Sequence, residues 1–189
     1  MAQALWPGRS SSAALSRDAL LVLAFSLVTA LSAQIVIPLP FSPVPLTGQT
    51  FGVLLSGALL GPRLGAIAML LYLAEGVCGL PFFAGGTAGP ARLLGPTGGY
   101  LLAYPLAAWI TGALVVRGWD RRPLLMLAAM LLGSLVIFAL GAVQLSHFVG
   151  ARNAVPMGVL PFLPGDVLKA LLAAGLVPLS WRWIGRKDG

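Results

Sequence analysis

Apolar runs recur along the chain at about 19–37, 46–60, 64–80, 99–116, 123–149 and 164–181. Clusters of proline, glycine and arginine separate them, not polar loops. An α-helix needs roughly 20 apolar residues to cross the hydrocarbon core of a bilayer. Six such runs predict six transmembrane helices, with 46–60 short for a full crossing. Pro38, Pro40, Pro43 and Pro45 cannot sit inside a helix and predict a stiff, extended loop. Gly61-Pro62-Arg63 breaks the second run from the third. Segment 80–99 is rich in glycine and proline but too apolar for a floppy linker, so it reads as a structured, partly buried loop. Residues 150–163, with Arg152, Asn153, Pro156 and Pro161, read as a further loop. Trp181, Arg182, Trp183, Arg186 and Lys187 close the chain as an interfacial anchor.

Composition sharpens this picture. Of 189 residues 58% are hydrophobic and 9% charged, too few charges to coat a soluble domain of this size. Mean hydropathy is +0.94. Six spans take about 120 residues, leaving about 70 for loops and tails and no room for a soluble domain. The expected organisation is a polar tail over 1–16, one membrane domain over 17–183 and a short tail over 184–189. A signal peptide is the competing reading of the first run, with Ala30-Leu31-Ser32-Ala33 as a loose cleavage-like patch. It leaves the chain multispanning. The single cysteine, Cys78, excludes an intramolecular disulfide, and the single histidine, His147, lies far from it in sequence, which excludes a Cys/His zinc site.

The net charge of +7 is not a nucleic-acid signal, because the charges sit at the ends of runs and not on one face. With six spans, Arg9, Arg17, Arg63, Arg117, Arg121, Arg122, Arg182, Arg186 and Lys187 share one side. Arg92 and Arg152 lie on the other, and Lys169 belongs to the sixth run. The positive-inside rule places the first group, and so both termini, in the cytoplasm. The long Pro/Gly loops then face outward.

Asp166 and Lys169 carry the strongest chemical signal. Three residues apart, they share a helix face in the first turn of the sixth run. Asp166 can be read as an N-cap. Lys169 opposes the helix dipole there, and snorkelling to the interface is its bland reading. Together they point to a polar ligand site. Thr87, in Gly85-Gly86-Thr87-Ala88-Gly89-Pro90, offers a hydroxyl beside exposed amides or is simply a turn residue. Gln49 can donate and accept inward. Glu75 is either an interhelical partner or a rim residue, and Gln144 and His147 read as structural. Ser26 with Ala30, and Thr29 with Ala33, are small residues at i,i+4 that let helices approach closely. Neither glycine cluster is a phosphate loop, because neither ends in Gly-Lys-Ser/Thr and no strand pattern precedes it. No catalytic triad, carboxylate pair or metal cluster is visible.

Three stretches carry a family likeness: 37–50, the 85–99 loop ending in Leu94-Gly95-Pro96-Thr97-Gly98-Gly99-Tyr100, and Leu163-Pro164-Gly165-Asp166-Val167-Leu168-Lys169-Ala170. On these the chain resembles the BioY family, the biotin-specific substrate-capture (S) components of energy-coupling-factor (ECF) transporters, over about residues 20–180. The resemblance implies an all-α membrane protein, a compact six-transmembrane-helix bundle with cytoplasmic N and C termini, in the bacterial cytoplasmic membrane. It implies biotin as ligand, held near the outer face under the loops, and no enzymatic activity or cofactor. Asp166 and Lys169 fall on the family's ligand-binding acid and lysine. Thr87 falls where some members have a ligand-contacting asparagine. Leu101 stands where some have an arginine, and Arg92 offers a substitute. Tyr100, Phe41, Phe82 and Phe83 are candidates to bury the ring system.

The resemblance also implies partners: a transmembrane coupling protein and two ATP-hydrolysing subunits. Ser26, Thr29, Ala30 and Ala33 are the expected contacts for the coupling protein. A capture subunit for another vitamin, or a membrane assembly factor without a small ligand, are the alternative readings.

Overall fold

The computed structural model describes residues 11–184, with side-chain environments over 12–179. Arg9 and the terminal anchor residues Trp181, Arg182, Trp183, Arg186 and Lys187 lie outside the side chains described. Six helices of twelve or more residues appear in the described region. They are α1 (Ser11–Ser32), α2 (Gln49–Leu60), α3 (Pro62–Val77), α5 (Gly98–Val115), α6 (Pro123–Val149) and α8 (Leu163–Ile184). Two short helices, α4 (Ala91–Leu94) and α7 (Ala151–Gly158), lie between them. Four apolar stretches are long enough to cross a membrane: Ser12–Ser32, Gly98–Val115, Pro123–Val149 and Ala151–Leu179, the last combining α7 with α8. At 12 and 16 residues, α2 and α3 are shorter than the roughly 20 that a span needs.

Element boundaries differ from the apolar runs in three places. Residues 11–16 are helical instead of an irregular tail, since Ser, Ala and Leu there include no helix breaker. The first helix stops at Ser32, short of Ile37. The Ile35-Val36-Ile37 run is β-branched and precedes Pro38, both of which disfavour helix. Val36–Ile37 (β1) instead pairs antiparallel with Leu46–Thr47 (β2), in register Val36↔Thr47 and Ile37↔Leu46, closing the proline-rich loop into a small hairpin. The 150–163 segment folds as α7 and a 3-10 turn at Leu160–Phe162, not as an open loop.

Helix α5 lies at the centre, with α2 and α3 on one side and α6 on the other; α1 packs on α3 and α8 on α6. Glycine lets α2 and α5 touch backbone to backbone: a Cβ on Gly57 would strike the Ala108 carbonyl, and one on Gly112 would strike Pro62 and Gly61. Tyr72, Met69, Met126, Met130 and Ile137 are fully buried in the core. The outward faces are apolar, with Leu23, Leu27 and Leu31 on α1 and Leu168, Leu172 and Leu176 on α8 exposed. Apolar outside and polar residues such as Ser26, Ser56, Thr111 and Ser134 inside is the arrangement a hydrocarbon solvent requires.

Candidate functional site

The hairpin, the Phe83–Ala84 turn, α4 and the first turns of α2, α5 and α8 enclose a cavity of about 370 Å³. That is the size of a small-molecule site. Its apolar wall is aromatic. Tyr100, Phe162 and Phe138 form a chain of tilted rings with centroids 6.4 and 6.3 Å apart. Phe83 meets Tyr72 edge-on at 5.7 Å. Glycine shapes this wall, because a Cβ on Gly141 or Gly158 would run into Tyr100.

The polar wall is built by α8 and the start of α2. Asp166 lines the cavity while being only 4% exposed, and its Oδ2 is sealed with no protein hydrogen-bond partner. Lys169, one turn on, reaches across the bundle. Its Nζ donates to the Thr47 carbonyl at 2.7 Å and to Thr50 Oγ1 at 2.9 Å. The two charges share the cavity without forming an ion pair. The pairing expected of intramembrane charges is therefore replaced by division of labour, with the lysine held by one backbone and one hydroxyl acceptor that leave its third N–H to a ligand, and the acid unpaired.

Gln49 is a hub beneath the hairpin. Its Oε1 accepts from Thr47 Oγ1 at 3.1 Å and from the Tyr104 hydroxyl at 3.3 Å, and its Nε2 donates to the Tyr72 hydroxyl. Tyr72 in turn donates to the Phe82 carbonyl at 3.0 Å. One amide thus ties α2, α3, α5 and the 80–90 loop together. Ser42 Oγ donates to the Met157 carbonyl at 2.8 Å, fastening the proline-rich loop to α7. Gln144 Nε2 donates to the carbonyls of Leu93 and Gly95, holding α4 on α6, in line with its structural reading.

Five of the six ligand-site candidates, Asp166, Lys169, Arg92, Tyr100 and Gln49, line this one cavity. Thr87 does not. Its hydroxyl donates to the Ala84 carbonyl at 3.0 Å and its carbonyl accepts from Phe83 N at 2.9 Å, so it is a turn residue behind the wall. The Tyr100 hydroxyl is consumed by the Gly158 carbonyl at 2.8 Å, which leaves the ring as its contribution. Arg92 is exposed at the mouth. Leu101 also lines the cavity, so no arginine enters from that position.

The partner-surface expectation for α1 is corrected. Ser26, Thr29, Ala30 and Ala33 are all buried within the chain's own bundle. Ser26 Oγ donates to Glu75 on α3, which resolves Glu75 as an interhelical partner. Thr29 lies against Gly52 of α2. Small residues at i,i+4 do mediate close packing here, but between helices of one chain. Thr47, Thr50, Tyr104, Phe138 and Phe162 were not singled out as site residues from the sequence. Thr47 and Thr50 flank Gln49 in the 37–50 stretch, which was a usable signal. Phe138 sits in an apolar run and Phe162 in the 150–163 segment, and neither position carries a signal of its own.

Apolar outward faces around a polar-and-aromatic cavity define a multi-pass, predominantly helical membrane protein with a small-molecule pocket at one end. The chain belongs to the BioY family, whose profile matches residues 6–186. It is 42% identical over 158 residues to a probable biotin transporter BioY of Pyrococcus horikoshii, covering 84% of this chain and 92% of that protein. It is 38% identical over 168 residues to the biotin transporter BioY of Rhizobium etli, covering 84% and 90%. Its fold is similar, with a TM-score of 0.82, to the crystal structure of the S-component for biotin from an ECF-type ABC transporter. That match is 26% identical in sequence and covers 92% of this chain and 95% of the other.

Proposed function

We propose that this protein captures biotin and mediates its uptake as the substrate-binding subunit of an ECF transporter in the bacterial cytoplasmic membrane. The observation that carries the reading is the enclosed cavity with Asp166 and Lys169 on one wall and an aromatic chain on the other. Biotin has a ureido group with two N–H donors and a carbonyl acceptor, an apolar thioether ring and a carboxylate tail. A carboxylate accepts from N–H and an ammonium donates to a carbonyl, so the open acid and the reaching lysine suit the two ends of a ureido group. The rings of Tyr100, Phe138 and Phe162 suit the bicycle, and Arg92 at the mouth suits the carboxylate. The names its relatives carry support transport and not catalysis.

The same reading takes α1, α2, α3, α5, α6 and α8 as six spans, with both termini in the cytoplasm and the cavity at the outer face. The charge asymmetry of the connections supports this orientation. The two short helices reach the boundary with the help of the hairpin and the 78–90 loop. Energy comes from a coupling protein and two ATPase subunits in trans, since the sequence has no phosphate loop. Calorimetric titration of the folded, detergent-purified chain with biotin tests the proposal. Saturable 1:1 heat is expected; a flat titration overturns it. Displacement of biotin by another vitamin at lower concentration reassigns the cargo.

A further inference from the structure

Charge is unevenly distributed around the cavity. Its charged lining residues are Asp166, Lys169 and Arg92. Asp166 and Lys169 stand one turn apart on the α8 wall, the acid buried and the lysine bound to Thr47 and Thr50. Arg92 is exposed, as are Pro38 and Pro43 among the lining residues, so these three mark the mouth. The rim position of Arg92 is fixed by the fold, because Gln144 holds α4 through the carbonyls of Leu93 and Gly95. A ligand carboxylate has no berth at the floor. Beside Asp166 it meets a like charge in a buried setting that screens little. The third N–H of Lys169 is one turn from that same acid, so a neutral carbonyl suits it better than a second anion. The hydroxyls of Tyr100 and Tyr104 donate to the Gly158 carbonyl and to Gln49 Oε1. The side chains of Leu101, Phe138 and Phe162 have no donor to offer.

We propose that the site reads the bicyclic end of its ligand and leaves the acyl end at the mouth, so that it also takes biotin whose carboxylate is joined to an amine as an amide. This rests on the biotin reading above and widens its substrate class from the free acid to neutral and extended acyl derivatives. The buried acid and the lysine fix the ureido group, and the aromatic wall covers the rings. The acyl carboxylate then meets a single exposed guanidinium. An exposed ion pair is worth no more than about fivefold in affinity. Replacing the charge by an amide therefore forfeits little. An added amine-linked group extends past Arg92, Pro38 and Pro43 into solvent and not into the bundle.

The test is displacement of labelled biotin from the purified, folded full chain by four unlabelled competitors. These are biotin, biotin amide, biocytin (biotin amide-linked to the lysine side chain) and biotin methylated on a ureido nitrogen. Biotin amide and biocytin are expected to compete within about fivefold of biotin at low salt. For biotin amide the gap is expected to close at high salt, where the exposed guanidinium is screened. Ureido methylation is expected to cost at least roughly tenfold, the scale of one hydrogen bond to a charged group. A loss of more than about tenfold for either amide, on that same scale, overturns the proposal. If biotin amide competes and biocytin does not, the mouth is closed to extension; if both fail, the carboxylate is read inside the cavity. A methylated ureido that competes as well as biotin overturns it too, since recognition then does not reside at the bicyclic end. Protein that fails to bind labelled biotin at all overturns the cargo assignment beneath it, which separates the two failures.

Discussion

The Lys169 ammonium and the Thr47 carbonyl, 122 positions apart in sequence, are joined by a 2.7 Å hydrogen bond that ties α8 to the last residue of the hairpin. One side chain is thus both a wall of the cavity and a tether for its cover. Lys169→Ala removes the hydrogen bonds to Thr47 and Thr50 and the only cation on that wall. A hydrogen bond from the ammonium to the ligand is worth about 1.5–3 kcal/mol, so biotin affinity is expected to fall roughly 10- to 150-fold. Hydrogen exchange over 36–47 is expected to rise in the same variant. Unchanged affinity removes Lys169 from the site.

Asp166→Asn separates stability from function. A sealed carboxylate oxygen without a partner costs desolvation energy in the folded chain. Neutralising it is expected to raise the thermal midpoint by about 2–4 °C, the equivalent of about 1 kcal/mol for a chain of this length. Biotin affinity is expected to drop in the same protein. A midpoint that falls instead marks the acid as a structural element.

Gln49→Leu breaks the hub. The Tyr104 hydroxyl loses its acceptor, and the Tyr72 hydroxyl loses a donor, both in the interior. The expected cost is about 1–3 kcal/mol, chiefly from the orphaned Tyr104 hydroxyl, since Tyr72 keeps the Phe82 carbonyl. It is read as a lower midpoint together with weakened biotin binding. A variant with the wild-type midpoint rejects the hub.

Gly141→Ala places a Cβ on the Tyr100 ring. Overpacking of this kind costs about 1–3 kcal/mol, and the displaced ring narrows the cavity, so affinity falls along with stability. Gly175→Ala is the control, since nothing lies near its Cβ position. It is expected to be neutral in both measurements.

Arg92 and Thr87 separate two members of the same loop region. Arg92 sits exposed at the cavity mouth, where a ligand carboxylate emerges. Arg92→Ala is expected to weaken biotin roughly 2–5-fold at low salt, less at high salt, as for an exposed ion pair. Biotin amide is expected to be indifferent to the change. Thr87→Ala is expected to leave affinity for both ligands unaltered, because its hydroxyl serves the turn at Ala84.

Much of this was legible in residue order because the solvent is hydrocarbon. Long apolar runs placed five of the six helices to within about three residues at each end; the first begins earlier, at Ser11, and ends at Ser32, where Ile35-Val36-Ile37 before Pro38 turned the expected helix end into a strand. Asp166 and Lys169 stood out because charge inside a span is expensive and rarely idle. What the order of residues could not convey was which side of α1 faces its own bundle. Ser26, Thr29, Ala30 and Ala33 have the same spacing whether they meet a partner or α2 and α3, and only the packing decides. Ser134 and Phe138 were equally silent, one hydroxyl and one ring in a 27-residue apolar helix whose facing was not readable.

The backbone contact of Gly57 with Ala108, and of Gly112 with Gly61, lies at the far ends of α2 and α5 from the cavity. There the helices leave no room for a single added carbon. The two ends of the bundle therefore tolerate change differently: at the hairpin end a larger side chain costs cavity volume, whereas at Gly57 or Gly112 it must push α2, α3 and α5 apart.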